Sequence, residues 1–257
     1  MTDAVAAPLA GRAVLVTGAS SGIGRAIALA VARAGADVAL TYRANDGGAR
    51  EVEREIRHLG RRAAVIRLDV VDELSVRAVG PAARAALGRL DVWVNNAGAD
   101  ILTGPGASLS AVEKLDRVLG VDLRGTILAS WHAAEMLGAE EQGGVIINMS
   151  WDHVLTGMPG LNPQIYASVK GGILAFSKSL ARSVAPRVRV NVIAPGWIET
   201  AFGAGVDEGM RRAVAESTPL KRWGTPDDVA GAAVFLASPA ADFLTGQTIL
   251  VGGGVVM

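Results

Sequence analysis

Residues 13–24 read AVLVTGASSGIG, and this stretch decides the fold of the chain. It opens with a short apolar run that closes in a threonine, as in a strand buried on both faces. A glycine-rich turn follows, and a helical segment then runs from Gly22 to Ala34 and ends at Gly35. A turn of this kind between a strand and a helix lets the backbone approach a ligand closely, and the N–H groups that start the helix attract a pyrophosphate. The stretch therefore predicts a dinucleotide-binding unit.

The remaining chain alternates short apolar runs with longer amphipathic segments. Strands are predicted at residues 37–42, 63–68, 91–95, 145–149, 188–194 and 247–251, and helices at residues 46–59, 72–87, 108–137, 164–184, 207–217 and 226–237. Such alternation is typical of a parallel sheet that carries helices on both faces. We expect an α/β fold: a single doubly wound (Rossmann) domain of about seven parallel strands, spanning residues 11–257 after an N-terminal tail of residues 1–10.

The composition narrows the class of protein. Half of the 257 residues are hydrophobic, 19% are charged and the formal net charge is zero, so nothing marks a surface for nucleic acid or for an anionic membrane. The absence of cysteine excludes disulfides and cysteine nucleophiles. The three histidines lack the spacing of a metal site, and no stretch has the form of a membrane span or a signal peptide. We expect a cytoplasmic protein without a metal, nucleic-acid or membrane partner.

The pair Tyr166 and Lys170 is the candidate catalytic motif. On a helix, residues four apart lie on one face, separated by about 6 Å of rise. A lysine ammonium beside a phenol favours the phenolate, so the tyrosine can donate or accept a proton near neutral pH. The same spacing is common by chance on helix surfaces, and it points to catalysis only in company with the glycine turn.

The end of the second predicted strand bears on the choice of cofactor. A carboxylate at this point would bind the ribose 2′-hydroxyl of NAD(H). The chain instead has Arg43, which can pair with a 2′-phosphate, although a solvated surface charge is the alternative interpretation. We therefore expect NADP(H) in preference to NAD(H).

Three further motifs follow in order along the chain. They are Asn95-Asn96-Ala97-Gly98 after the fourth predicted strand, Pro195-Gly196 after the sixth, and the ending FLASPAADFLTGQTILVGGG. Together with the glycine turn and the Tyr166–Lys170 pair, they resemble the one-domain form of the short-chain dehydrogenase/reductase family, similar to 3-oxoacyl-thioester reductases. The resemblance runs from about residue 10 to the C-terminus. It implies an NAD(P)-dependent oxidoreductase that interconverts a ketone or aldehyde with an alcohol.

The resemblance also implies roles for individual residues. The pyrophosphate would be bound by Gly18, Ser20, Ser21, Gly22, Ile23 and Gly24, and the adenine would be contacted by Asp69 and Val70. The adenosine and its ribose would be lined by Asn96, Ala97 and Gly98, and the nicotinamide would be flanked by Pro195, Gly196, Ile198 and Thr200. Tyr166 would be the general acid of carbonyl reduction, and Lys170 would hold the nicotinamide ribose and lower the tyrosine pKa. Ser21 stands where NADP-binding relatives often have a second basic residue, which limits the argument for NADP(H).

The sequence departs from this family's pattern at two places. Relatives usually have asparagine in the proton relay where this chain has Asp122, which cannot donate a hydrogen bond when ionised. The substrate-orienting serine of the family falls at His153 when counted back from Tyr166, but at Trp151 when counted from the fifth predicted strand. Ser150, Asp152 and His153 are then the candidates for a polar contact to the reacting oxygen. We favour Asp152, protonated or bound to a substrate hydroxyl or amine, and we place Asp122 in the relay.

Partners and substrate follow from the resemblance only in outline. Apolar stripes on the predicted helices 108–137 and 164–184 suit the homotetramers or homodimers of the family, but they equally suit helices that cover their own sheet. The glycine-rich segment 197–220, with Phe202 and Met210, stands where relatives keep a substrate lid and suggests a partly hydrophobic carbonyl or alcohol substrate. A 3-oxoacyl thioester or related ketone is the generic expectation. The alternative to an enzyme is a nucleotide-binding regulator or scaffold of the same fold, which the changed Asp122 and the missing serine favour and the Tyr166–Lys170 pair opposes.

Overall fold

The protein, as a computed structural model that describes residues 7–200 and 205–257, is built around one parallel sheet. Its strands are β1 Ala13–Val16, β2 Asp37–Tyr42, β3 Ala63–Arg67, β4 Val92–Asn95, β5 Gly144–Met149, β6 Val188–Pro195 and β7 Thr248–Val251. These seven described strands lie in the order β3-β2-β1-β4-β5-β6-β7, and each pair of neighbours is parallel. The order reverses between β1 and β4, which is the switch point where doubly wound folds bind their ligands.

The helices of the described chain connect the strands and cover both faces of the sheet. They are α1 Gly22–Arg33, α2 Asp46–His58, α3 Glu73–Leu87, α4 Gly104–Ala107, α5 Ala111–Val118, α6 Gly125–Gly138, α7 Leu161–Val184, α8 Glu208–Ser217 and α9 Pro226–Ala237. The predicted α/β fold, a single Rossmann domain with seven parallel strands, is confirmed.

Alternation along each strand divides the core into two layers. In β1, Val14 and Val16 belong to the layer that packs against α1, α2 and α9, whereas Ala13 and Leu15 belong to the layer that packs against α3, α6 and α7. Every residue of β1 is fully buried, as expected of a strand covered on both faces. The two layers hold the sheet rigid, so that the loops at its carboxyl edge start from fixed positions.

Several predicted boundaries differ from the structure. The long helix predicted at 108–137 begins only at residue 111 and is divided into α5 and α6 by a π-helical turn, Leu119–Arg124, which continues the helical backbone without a loop that would mark a boundary in the sequence. Within the predicted tail of residues 1–10, Leu9 is fully buried and its N–H donates to the Ala34 carbonyl.

The carboxyl ends of all seven described strands meet at one edge of the sheet. This edge carries the glycine turn after β1, Arg43 after β2, Asp69 after β3 and Asn96 after β4. It also carries the loop after β5, residues 150–153, which we call the SWDH loop. Within the described ranges, no helix is both long and apolar enough to cross a lipid bilayer.

Candidate active site

The glycine turn after β1 has a shape that only glycine allows at two points. Gly18 has a φ of +65°, and a Cβ on it would lie 2.9 Å from the Ala97 Cα. A Cβ on Gly24 would overlap both the Gly18 carbonyl oxygen and the Asn96 side-chain nitrogen. The turn is therefore pressed against the loop after β4, and the predicted neighbours Gly18, Gly24, Asn96 and Ala97 are brought together.

Two threonine hydroxyls hold this turn in place. Thr17 Oγ1 accepts hydrogen bonds from the N–H groups of Asn96 and Ala97, both at 3.0 Å, and Thr41 Oγ1 accepts from the Gly18 N–H at 3.2 Å. Neither threonine was predicted to belong to the site. The only feature of the sequence that indicates such a role is that each threonine stands at or near the carboxyl end of a predicted strand.

The residues around the turn fit a dinucleotide. Ser21 is the N-terminal cap residue of α1, its side chain makes no capping bond, and the first turn of α1 contains no acidic residue. The first N–H groups of α1 therefore point away from the helix without competition from a carboxylate, as a pyrophosphate requires. Gly22 has a φ of +54° and open space where a Cβ would lie, with only the Thr200 methyl 3.9 Å away. Backbone groups at this end can thus approach a ligand closely.

The residues expected around the adenosine lie on the neighbouring loops. Asp69 Oδ1 accepts from the Val71 N–H at 3.1 Å, and Val70 is buried against Gly125. Arg43 is exposed, and within the described chain it makes no hydrogen bond or ion pair. Its guanidinium is thus available to a ligand beside the edge of β2.

Tyr166, Lys170 and Asp122 meet at the centre of the site. The Lys170 Nζ lies 5.3 Å from the centre of the Tyr166 ring and 3.0 Å from Asp122 Oδ2. Lys170 and Asp122 are 4% and 1% exposed, so their charges are paired in a nearly water-free environment. The Lys170 Nζ also donates to the Met149 carbonyl at 3.3 Å.

The π-helical turn presents Asp122 to this cluster. Asp122 Oδ1 accepts from the Ala99 N–H at 2.8 Å, which fixes the carboxylate against the loop after β4. Gly98 leaves room for it, because a Cβ at that position would lie 3.0 Å from Oδ2. Asp122 therefore takes a direct ion pair with Lys170, which an asparagine at this position could not form.

Lys170 lowers the pKa of Tyr166, as expected, but two other influences act in the opposite direction. Burial raises the pKa of Tyr166, and the Asp122 charge raises it further, so that the opposing effect of Lys170 does not decide the direction. For Lys170, burial disfavours the ammonium, but its interactions with Tyr166 and Asp122 outweigh burial and raise the pKa of Lys170. The directions of the two shifts favour a protonated Tyr166 beside a protonated Lys170.

A buried polar network fixes the helix that carries Tyr166. The Asn95 side-chain amide donates to Ser130 Oγ at 3.0 Å and to Asn148 Oδ1 at 2.8 Å, and the Asn148 amide donates to Ser177 Oγ at 2.9 Å. These bonds join β4, α6, β5 and α7 inside the core. Because such groups are costly to bury unpaired, the network specifies how α7 sits on the sheet.

The SWDH loop after β5 places its four side chains differently from one another. The Ser150 hydroxyl donates to the Lys170 carbonyl at 2.8 Å and is 4% exposed, so it supports α7 and is enclosed. Asp152 is fully buried, and its Oδ1 lies 2.5 Å from His153 Nδ1. The Trp151 ring meets the edge of Tyr166 at a centroid distance of 5.5 Å and stacks on His153 at 4.9 Å.

The nicotinamide side of the predicted site is formed by the loop after β6. The Gly196 N–H donates to the Val251 carbonyl at 3.0 Å, and Ile198 forms a bridge with Gly224. Trp197 meets His153 at a centroid distance of 6.1 Å and Trp223 at 5.5 Å. Phe202, which sequence analysis assigned to the lid, lies outside the described residues.

Known proteins match nearly the whole chain. Residues 18–256 match the family model described as enoyl-(acyl carrier protein) reductase. The chain is 36% identical over 252 residues to 3beta-hydroxysteroid dehydrogenase 1 of Eggerthella lenta, covering 97% of this chain and 95% of that protein. It is 35% identical over 248 residues to the 3-oxoacyl-[acyl-carrier-protein] reductase of Staphylococcus aureus, covering 96% of this chain and 98% of that protein.

A solved structure shows the same agreement in three dimensions. The structure of 7 alpha-hydroxysteroid dehydrogenase in complex with NADH and 7-oxo glycochenodeoxycholic acid superposes with a TM-score of 0.88 at 32% identity, covering 100% of this chain and 98% of that one. The motifs, the sheet order and these similarities agree, and the expected family is confirmed. The chain belongs to the short-chain dehydrogenase/reductase family of NAD(P)-dependent oxidoreductases.

Proposed function

We propose that this protein is an NADP(H)-dependent oxidoreductase that interconverts a ketone or aldehyde with an alcohol, with Tyr166 as the general acid/base and Lys170 as its partner. The observation that carries the proposal is the Tyr166–Lys170–Asp122 cluster, in which the Lys170 Nζ lies 5.3 Å from the phenol ring. The cluster stands at the same sheet edge as the glycine turn. A proton donor and a dinucleotide cradle at one edge are the two parts that carbonyl reduction requires.

The chain offers a complete set of residues to hold the cofactor. The N–H groups around Gly18, Ser20, Ser21, Gly22, Ile23 and Gly24 would bind the pyrophosphate, Asp69, Val70, Asn96, Ala97 and Gly98 would line the adenosine, and Pro195, Gly196, Ile198 and Thr200 would flank the nicotinamide. A nicotinamide cofactor held there would supply or accept hydride at the substrate carbon. The protein's own task is to orient the substrate, exclude water and move the proton.

The preference for NADP(H) rests on Arg43. Its exposed guanidinium has no partner in the described chain, and a 2′-phosphate is the group that such a fork binds best. Asp46, the first acidic residue after Arg43 in the sequence, begins α2 and accepts a hydrogen bond from the Tyr42 hydroxyl, which raises the Tyr42 pKa. Asp46 is therefore engaged with Tyr42, and we assign the 2′ position to Arg43.

The raised pKa of Tyr166 extends to higher pH the range in which the protonated phenol needed for reduction is present. A phenol that keeps its proton can donate it to the oxygen of a carbonyl as that oxygen gains charge. The Lys170 ammonium, held in its charged form by Asp122, stabilises the phenolate that remains. Oxidation of the alcohol needs the phenolate first, and thus a higher pH.

The substrate we propose is a ketone on a largely apolar, ring-containing framework. The aromatic rings of Trp151, His153, Trp197 and Trp223 follow one another from Tyr166 at centroid distances of 4.9 to 6.1 Å. Flat aromatic faces suit the CH-rich faces of fused or single rings better than a mobile linear chain. The names of two similar proteins, both hydroxysteroid dehydrogenases, agree with such a substrate. Linear 3-oxoacyl thioesters are the comparison class.

The experiment is to measure oxidation of NADPH and NADH by the purified protein with cyclic ketones, aldehydes and 3-oxoacyl thioesters. Tyr166→Phe removes the reacting hydroxyl, and we expect at least a thousandfold loss of kcat with cofactor binding retained. Tyr42→Phe removes the other phenol of the chain and should keep its turnover. Cofactor binding without turnover on any substrate, in either direction, would favour the regulator or scaffold of the same fold.

We also propose that the protein is a cytoplasmic homotetramer or homodimer. Trp131 on α6 is 55% exposed and meets Phe176 of α7 edge to face, with a centroid distance of 6.4 Å. An exposed tryptophan on an apolar helix pair is typical of a surface that another copy covers. Light scattering on the wild type and on Trp131→Glu tests the assembly, and imaging of a tagged chain tests the location.

A further inference from the structure

We propose that His153 binds the oxygen of the substrate by donating a hydrogen bond from Nε2, in place of a serine hydroxyl, and that buried Asp152 is the positioning residue that fixes this form of the ring. The inference rests on the proposed function, because it assigns a contact to the substrate of that reaction. It differs from the expectation that Asp152 itself touches the substrate.

The first step concerns the position of Asp152. Its side chain is completely buried, and its Oδ2 is one of the enclosed polar atoms of the described chain without a hydrogen-bond partner. Oδ2 is packed against Gly196 and Gly252, where a Cβ on either residue would overlap it. The carboxyl group is therefore locked under the loops that follow β6 and β7, and substrate cannot reach it.

The second step concerns the proton of Asp152. An ionised carboxylate would leave a charged oxygen, Oδ2, buried without a donor, which is costly. Burial accordingly raises the pKa of Asp152, although the contact with His153 opposes the rise. A protonated carboxyl avoids the cost, since its remaining oxygen is uncharged. It can then donate its proton from Oδ1 across the 2.5 Å contact to Nδ1 of His153.

The third step concerns the tautomer of His153. A neutral imidazole whose Nδ1 accepts a hydrogen bond carries its proton on Nε2. Nε2 has no hydrogen-bond partner in the described chain and is not among its enclosed, unpartnered atoms. It therefore offers one N–H donor to a ligand. This is the role that a serine hydroxyl plays toward a carbonyl oxygen.

The fourth step concerns the place of the ring. His153 stacks on Trp151 with an interplanar angle of 20°, and Trp151 also contacts Tyr166. Trp197 meets the imidazole from another side, at 77°. The ring is held on the wall that carries the proton donor, and neither Ser150, bonded to the Lys170 carbonyl, nor Asp152 competes for the substrate.

Nitrogen NMR on protein labelled with 15N-histidine tests the tautomer directly. The chain has three histidines, and the spectrum of His153→Gln assigns the resonances of His153. At neutral pH we expect Nε2 protonated and Nδ1 unprotonated, and we expect Asp152→Asn to preserve this state because an amide N–H also donates to Nδ1. An unprotonated Nε2 in the wild-type protein would overturn the proposal.

Kinetics test the contact with substrate. His153→Phe removes the donor, and we expect kcat/KM for the ketone to fall about a hundredfold, the usual size for one such donor, with the KM for cofactor unchanged. Asp152→Asn should stay within threefold of the wild type and Asp152→Ala should lose about tenfold or more. His58→Phe, at an exposed histidine, is the matched control. Unchanged kcat/KM in His153→Phe would refute the assignment. If the wild-type protein showed no turnover, the proposed function would be refuted. The tautomer measured by NMR would then still show whether Asp152 fixes the Nε2-protonated form of His153.

Discussion

Replacing Asp122 by asparagine tests the electrostatic centre of the site. The two charges of the Asp122–Lys170 pair lie 3.0 Å apart, so with an effective dielectric constant of about 20 their attraction is about 5 kcal/mol. Asparagine keeps one oxygen as an acceptor, and Lys170 keeps the Met149 carbonyl. We therefore expect a net loss of about 2 kcal/mol, below the ~3–5 kcal/mol that follows outright removal of one partner of a buried pair.

The same substitution changes the pH dependence of the reaction in a definite direction. The Asp122 charge is one of the causes that raise the pKa of Tyr166, after burial. Without that charge the phenolate forms at lower pH. In the reductive direction, where Tyr166 must be protonated, activity then declines at a lower pH than in the wild type. In the oxidative direction, where the phenolate is needed, activity appears at a lower pH.

Two assays measure these effects, and a control separates them from a general loss of charge. Thermal unfolding should show a melting temperature about 4–8 °C lower, since about 1 kcal/mol corresponds to ~2–4 °C in a domain of this size. The pH profile of kcat/KM should shift downward in both directions. Asp116→Asn, an exposed aspartate of α5, removes the same charge without contact to the site and should change neither quantity. A profile for Asp122→Asn that is unmoved or shifted upward would refute the coupling.

Three further predictions concern the cofactor edge and the core. Arg43→Ala should raise the KM for NADPH about tenfold and leave the KM for NADH unchanged, because the loss of one exposed charge-assisted contact costs about 1.4 kcal/mol of binding free energy. Steady-state kinetics with both cofactors measure the two KM values. Gly24→Ala should abolish binding of both cofactors in a fluorescence titration, because its Cβ would overlap the Gly18 carbonyl and the Asn96 amide. Ser130→Ala should lower the free energy of unfolding in urea by about 1–3 kcal/mol, because fully buried Ser130 accepts from Asn95.

The sequence predicted the sheet well because its signals are local and repeated. Most strands are apolar runs, and several helices carry their own start or stop residue, as with the serine–glutamate capping box of Ser110 and Glu113 or the left-handed Gly88 that ends α3. These features act within a few residues of one another. The order of strands then follows from the family's motifs and from right-handed crossovers.

The start of α7 shows where local signals fail. The helix was predicted from residue 164, but it begins at Leu161, after Gly160 with a φ of +115°. Pro163 suggests a loop, yet a proline in the first turn of a helix lacks only an N–H that would have no intrahelical partner. The two counts for the missing serine disagreed over this same stretch, which contains the short 3-10 turn Asp152–Val154 between β5 and α7.

The partners of the site's charged residues could be predicted only where the family resemblance supplied them, because they depend on contacts between distant parts of the chain. The resemblance placed Asp122 in the relay with Lys170, but not the direct contact of 3.0 Å between them. Similarly, the glycines that enclose Asp152, Gly196 and Gly252, come from two other loops. Lys170 does lower the Tyr166 pKa, but the opposing effects of burial and of Asp122 depend on the packed structure and could not be weighed from the sequence.

The two buried carboxyl groups of the site are distinguished by what surrounds them. Asp122 has the Lys170 ammonium at 3.0 Å from one oxygen and the Ala99 N–H at 2.8 Å from the other, so both oxygens face a donor. Asp152 has an imidazole on one oxygen and no hydrogen-bond partner on the other, and burial raises its pKa and so favours its neutral form. Environments that separate two carboxyls in this way assign them different tasks. Asp122 holds the charge that keeps Lys170 protonated, while Asp152 holds the proton that turns His153 into a donor. On this reasoning, Tyr166 and His153 approach the carbonyl as two neutral donors, and reduction needs no change of charge until hydride has moved.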